Sequence, residues 1–342
     1  MSKTLRIGII GGGRIGKVHG ANLTTRVAGV EVKVLADPYA DEKLESWAAG
    51  QGINRVIKDY KEILADPDID AVLICSPTDT HAAISQEAAR AEKHVFCEKP
   101  LDQDPDVIRE TLKVVKEAGV VFQIGFNRRF DHNFRGLRDK VADGSVGDVH
   151  LLRITSRDPE PPPASYVRVS GGLFLDMAIH DFDMARFLTG SEVVKVHAAG
   201  AVLVDPAIGR EGDIDTAITT LWFENGALGV IDNSRTAVYG YDQRAEVFGS
   251  RGCAESTNDA PSTVAFSDAK GVQSEKPLFF FLERYAESFA EELRDFVKAV
   301  NEGADERADV PGRDAALNSV LIALAAKKSL ETGVPVEVER LT

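Results

Sequence analysis

Apolar and polar positions fall into two regimes along the chain. Leu5 to Ile10 form a short β-branched run without alternation, the pattern of a strand buried on both faces. Strand and helix patterns then take turns. Val30 to Ala36 reads as a strand, "DAVLICSP" as a strand, "THAAISQEAARAE" as a helix, "HVFCEKP" as a strand and its exit, "DVIRETLKVVKEAG" as a helix and "VVFQIGF" as a further strand. Such alternation predicts a parallel sheet with right-handed crossovers. After residue 147 long alternating strands take over: "DVHLLRITSR", "VVKVHAAGAVLV", "IDTAITTLWF", "GALGVIDNSRTA" and "QRAEVFGS", with "ENG" at Glu224 to Gly226 as a hairpin turn. Two late helices are expected, near Arg284 to Val300 and Ala315 to Glu331.

At 342 residues and 44% hydrophobic content the chain has room for two domains. Its net charge of -14, with no compensating Lys/Arg cluster, repels polyphosphate backbones and anionic lipid, so neither nucleic acid nor membrane is an expected partner. Cys75, Cys97 and Cys253 make an odd, unpaired set that fits a reducing compartment. The N-terminal "MSKTLRIGIIGGG" reads as a strand running into glycines and not as a signal peptide, and no apolar run is long enough to span a bilayer. A cytoplasmic location is expected.

The first strand runs into "GGGRIGKVHGANL", where Gly11, Gly13 and Gly16 fit GxGxxG ahead of a helix. In such a turn the first glycine makes the bend, the second lets backbone approach a pyrophosphate and the third permits close helix packing. Asp37, at the end of the second strand, is spaced to accept hydrogen bonds from both ribose hydroxyls of an adenosine and would repel a 2'-phosphate, which favours NAD over NADP. The competing reading makes Asp37 the cap of the helix after "DPYA". Ligands gather at the carboxyl ends of parallel strands. Two exits are therefore of interest, Ser76-Pro77-Thr78 and Glu98-Lys99-Pro100. A lysine there can bind a substrate hydroxyl and stabilise alkoxide-like charge as hydride leaves carbon. The expected cofactor contacts are Gly11, Gly13, Arg14, Ile15, Gly16, Asp37, Ser76, Thr78, His81, Glu98 and Lys99.

"GGLFLDMAIHDFDMARFL", Gly171 to Leu188, reads as a largely apolar amphipathic helix, yet it sets Asp176, His180 and Asp183 at i, i+4 and i+7 on one stripe. A solvated face with an Asp183 to Arg186 salt bridge is one reading of that stripe. No metal site is expected from it, since no other histidine lies nearby in sequence.

Together the glycine fingerprint, "EKP" at Glu98 to Pro100 and "GGLFLDMAIHDFDMARFL" resemble the glucose-fructose oxidoreductase and inositol dehydrogenase family of NAD(P)-dependent oxidoreductases. "GFNRRFD", "SRDPEPPP" and "VSGGLFLDMAIHDFDMARF" look most like its inositol 2-dehydrogenase branch. The resemblance implies an α/β fold class: a Rossmann domain with a parallel sheet over residues 1–125, then an α+β domain with an open, mainly antiparallel sheet over 126–342 that binds substrate and mediates oligomerisation, commonly as a tetramer. It also implies NAD-dependent oxidation of myo-inositol to its 2-keto product. The family's catalytic residues map onto Lys99, Asp176 and His180. By the same resemblance His180 is the general base, Asp176 orients it, Lys99 arrives from the other domain to bind the reacting oxygen, and Asn127, Arg128, Asp158, Tyr241 and Tyr285 contact the polyol. Another inositol isomer or a cyclic sugar is the alternative substrate; a non-catalytic NAD sensor is the alternative from a different class.

Overall fold

The computed structural model describes residues 4–304 and 310–339. In chain order the elements are β1 (Leu5–Ile10), α1 (Arg14–Thr25), β2 (Val30–Ala36), α2 (Glu42–Gly50), β3 (Val56–Ile57), α3 (Lys61–Ala65), β4 (Ala71–Ile74), α4 (Thr78–Arg90), β5 (His94–Glu98), α5 (Pro105–Ala118) and β6 (Phe122–Gly125). A 3-10 turn over Asn127–Phe130 follows. Then come α6 (His132–Ala142), β7 (Val149–Arg157), α7 (Ala164–Ser170), α8 (Gly172–Asp176), α9 (Ile179–Thr189), β8 (Val193–Ala201), α10 (Pro206–Arg210), β9 (Thr216–Phe223), β10 (Leu228–Ser234), β11 (Asp242–Gly249), β12 (Cys253–Ser256), β13 (Ala265–Asp268), β14 (Gly271–Ser274), α11 (Phe281–Arg284), α12 (Ala286–Glu302), α13 (Arg313–Thr332) and β15 (Val336–Glu337).

Two compact units result. Met1–Phe130 groups with Glu287–Leu317, and Asp131–Ala286 groups with Asn318–Thr342. This differs from a single cut at residue 125, because α12 returns to the N-terminal unit. Its buried Leu293, Phe296 and Val297 join the core of Ile7, Ile9, Leu35, Leu73 and Phe96. The Phe96 and Phe296 rings meet edge to face at 5.8 Å. An amphipathic pattern foretold the helix but not the surface it covers.

The N-terminal unit carries a six-stranded parallel sheet ordered β3-β2-β1-β4-β5-β6. The order reverses at β1, with β2 on one side and β4 on the other. That switch point is where such sheets receive ligands. β1, β4 and β5 are almost wholly buried, as their unalternated apolar runs require.

The second unit holds a seven-stranded sheet ordered β12-β11-β7-β10-β9-β8-β15. The β7·β10 pair is parallel and the others are antiparallel. The expected turn at Glu224–Gly226 joins β9 to β10, with Gly226 at φ +88°. Burial alternates along β9, β10 and β11, so one face is covered. α9 packs on β7 and on α6.

The expected single helix from Gly171 to Leu188 is broken. α8 ends at Asp176 and α9 begins at Ile179, while the Ala178 N–H reaches back to Leu173 O at 2.9 Å in a widened turn. α9 is also buried nearly all round: Asp181 and Asp183 have no exposed surface. The solvated-face reading therefore falls, because Asp183, on the expected stripe, is fully buried. Arg186 gives Nε and Nη2 to Glu192, each at 2.6 Å.

Candidate active site

The expected site residues fall in both units, and each set is built by its own elements. In the N-terminal unit the glycine loop is forced by space. Gly11 sits at φ +105°, and a Cβ there would lie 2.6 Å from the Cys75 carbonyl group. A Cβ on Gly16 would lie 2.0 Å from Gly11 O. Only glycine fits either position. A Cβ on Gly13, the residue before α1, would meet nothing within 4 Å, so the backbone there faces open space at a helix N-terminus. These residues fit a dinucleotide: a closed bend behind, room in front and the positive end of α1 aimed at the phosphates. Arg14 and Ile15 open that helix.

Asp37 follows β2. Its Oδ2 accepts from Gly12 N–H at 2.7 Å and its Oδ1 from Tyr39 N–H at 2.8 Å. The helix after "DPYA" is capped by Asp41, which accepts from Leu44 N–H at 2.9 Å. Asp37 is thus no helix cap, and its carboxylate lies against the glycine loop.

At the exit of β4, Ser76 Oγ and Thr80 Oγ1 lie 2.6 Å apart, and Thr78 begins α4. His81 is buried, with Nε2 at 2.8 Å from Ser76 O and Nδ1 at 2.8 Å from Pro100 O. At the exit of β5, Glu98 Oε1 lies 2.6 Å from His19 Nε2 and its Oε2 accepts from Lys99 N–H at 3.3 Å. Glu292, on α12, completes a buried cluster with His19 Nε2 at 4.0 Å from its Oε1. Burial, then the neighbouring Glu98, raises the Glu292 carboxyl well above its ordinary range. Among the described residues His19, Glu98 and Glu292 are the group whose spacing could hold a metal ion. Asn127 and Arg128 lie in the turn after β6 and are buried.

In the second unit Asp176 closes α8 and His180 lies in the first turn of α9. Asp176 Oδ1 accepts from Tyr166 OH at 2.8 Å, and its Oδ2 from Arg235 Nη2 at 3.0 Å. Arg235 also reaches Asp158 Oδ2 with Nη1, at 3.5 Å. The guanidinium is almost fully buried, and although desolvation opposes its charge, Asp176 and Asp158 raise its pKa. One buried cation thereby ties two of the expected site acids together. Sequence reasoning missed Arg235 and Tyr166. The available signal was an arginine directly after strand "VIDNS", at the same end of the sheet as "SRDP" on its parallel neighbour β7. Tyr241 and Tyr285 are both buried and meet edge to face at 5.9 Å.

Comparison with known proteins agrees with this architecture. Residues 5–126 match the model of an oxidoreductase family with an NAD-binding Rossmann fold, and residues 134–255 match the GFO/IDH/MocA C-terminal domain. The chain is 52% identical to an uncharacterized oxidoreductase of Bacillus subtilis (strain 168), over 99% of this chain and 98% of that one. It is 48% identical to the myo-inositol 2-dehydrogenase of Thermotoga maritima, over 98% of this chain and 99% of the relative. The scyllo-inositol dehydrogenase of Lactobacillus casei, solved with NAD(H) and scyllo-inositol, superposes with a TM-score of 0.90 at 31% identity, covering 98% of this chain and 99% of that one. The chain therefore belongs to the GFO/IDH/MocA family of NAD-binding oxidoreductases.

Proposed function

We propose that this protein oxidises myo-inositol to its 2-keto product with NAD. Full-length 48% identity to a myo-inositol 2-dehydrogenase supports the substrate. The observation that carries the chemistry is the fixing of Asp176 by Tyr166 and Arg235 at the end of α8, four residues before His180. The bound cofactor supplies the hydride acceptor. His180 takes the hydroxyl proton, and imidazole has the ordinary pKa nearest to neutral for that work. Asp176 orients the ring and stabilises the imidazolium as it forms. Lys99 hydrogen-bonds the reacting oxygen and stabilises its growing negative charge. Gly11, Gly13, Arg14, Ile15, Gly16 and Asp37 hold the dinucleotide, Ser76, Thr78 and Glu98 border it, and Asn127, Arg128, Asp158, Tyr241 and Tyr285 direct the other hydroxyls.

The same reading includes a cytoplasmic homotetramer. Phe248, Leu151 and Leu228 are exposed and lie in one cross-strand row over β11, β7 and β10. A contiguous apolar row of this kind suits contact with a second copy. Among the described residues no helix is long and apolar enough to cross a membrane.

Likeness to the scyllo-inositol enzyme supports a second reading in which that isomer is the substrate. Initial rates with NAD on myo-inositol, scyllo-inositol, D-chiro-inositol and glucose decide between them. The highest kcat/KM is expected for myo-inositol; turnover of none of the four would leave a nucleotide sensor. Light scattering reads the oligomer.

A further inference from the structure

We propose that His81 is a positioning residue: a buried imidazolium that staples the β4 exit to the loop carrying Lys99. The inference rests on the role proposed above for Lys99. Both ring nitrogens of His81 face main-chain carbonyls, Ser76 O from Nε2 and Pro100 O from Nδ1, each at 2.8 Å. A carbonyl oxygen can only accept. Satisfying both requires a hydrogen on each nitrogen, which is the cationic ring; a neutral ring sets one lone pair against a carbonyl lone pair. His81 is 2% exposed, so water does not replace either partner.

Burial opposes the charge, but the Cys97 side chain on β5 and the two carbonyls outweigh it and push the His81 pKa up to about 9. Glu98 and Lys99 are the charged groups on the β5 exit it grips. Its tether is placed where it affects the lysine. On the N-terminal side of Lys99, Glu98 is held by His19 and accepts the Lys99 N–H. On the C-terminal side, Pro100 O is held by His81. The lysine backbone is thus pinned from both sides by buried imidazoles. Deprotonating His81 breaks one tether, and misplacement of a positioned group by about 1 Å can cost roughly a hundredfold in rate.

The test has two parts. Side-chain nitrogen–proton NMR of the 15N-labelled full-length protein should show His81 doubly protonated at pH 7 and losing one proton near pH 9. A neutral ring at pH 7 would overturn the staple, and this measurement needs no variant. His81→Gln should lower kcat about tenfold or more while leaving the NAD dissociation constant within about threefold, and should abolish the ring's limb of the pH–rate profile. In a Lys99→Ala background the same change should cost less than about threefold, because the group being positioned is gone. Loss of stability with kcat kept, or an equal loss in both backgrounds, would overturn the positioning role. Unchanged turnover in Lys99→Ala alone would sink the catalytic reading of the lysine and the positioning claim with it, whereas the NMR result judges the staple separately.

Discussion

Arg235 Nη2 donates to Asp176 Oδ2 at 3.0 Å although the two residues lie 59 positions apart in the chain. The pair is nearly closed to water: the arginine side chain is 4% exposed and the aspartate 12%. Asp158 faces the same guanidinium. Removing the cation would take from both acids the guanidinium that they share. Arg235→Met should therefore destabilise the fold by about 3 kcal/mol and lower turnover at least about tenfold. Arg235→Lys should recover part of both, since it restores charge but not the two-pronged geometry. Urea denaturation and initial rates check this, and a stable, fully active Arg235→Met enzyme would remove the arginine from the site.

His180→Ala should reduce turnover by about 10²- to 10⁴-fold, the usual worth of a positioned base. NAD affinity, measured by calorimetry, should stay the same. Equal turnover in variant and parent excludes His180 as the base.

Asp37→Ala should weaken NAD about tenfold and narrow its advantage over NADP, because the repelling carboxylate is gone. The variant also loses the acceptor for Gly12 N–H and Tyr39 N–H, so a loss of about 1 kcal/mol in stability is expected with it. Paired calorimetric titrations with NAD and NADP separate the two effects; an unchanged ratio of affinities refutes the ribose role.

Glu292 gives a pH-dependent prediction. Neither carboxyl oxygen has a hydrogen-bond partner, and burial holds its folded pKa above the unfolded value of about 4.3. The folded state binds the extra proton, so stability falls as pH rises above that value. Glu292→Gln keeps the shape and removes the penalty. It should be more stable than the parent at pH 8 by at least about 1 kcal/mol and nearly equal to it at pH 4. Thermal melts at both values decide it, and a Gln variant that melts below the parent at pH 8 shows that Glu292 is ionised.

Local chemistry was legible wherever neighbours in sequence are also partners in space. Leu5–Ile10 and Val30–Ala36 have the strand bounds that their apolar runs predict. At Gly16 the demand for glycine is local, since a Cβ would meet Gly11 O, and the turn at Glu224–Gly226 follows from its own backbone needs; at Gly11 the demand comes from Cys75, distant in sequence. Lys99, Asp176 and His180 were singled out by motif and by resemblance, and strand exits are where parallel sheets present functional groups.

Tertiary structure alone decided the rest, because those contacts join positions that no local period connects. His19, Glu98 and Glu292 come from α1, β5 and α12, and meet only because the fold buries all three together. Helical spacing put Asp183 on the stripe with His180 but could not show that the fold buries it completely. Likewise, the sequence by itself determined that α12 forms, through its amphipathic repeat, while only the packed fold shows that it rests on the N-terminal core, where Phe296 meets Phe96 edge to face. Periodicity encodes which face of an element is apolar; only packing, where shape and charge from distant segments must be satisfied at once, settles what that face meets.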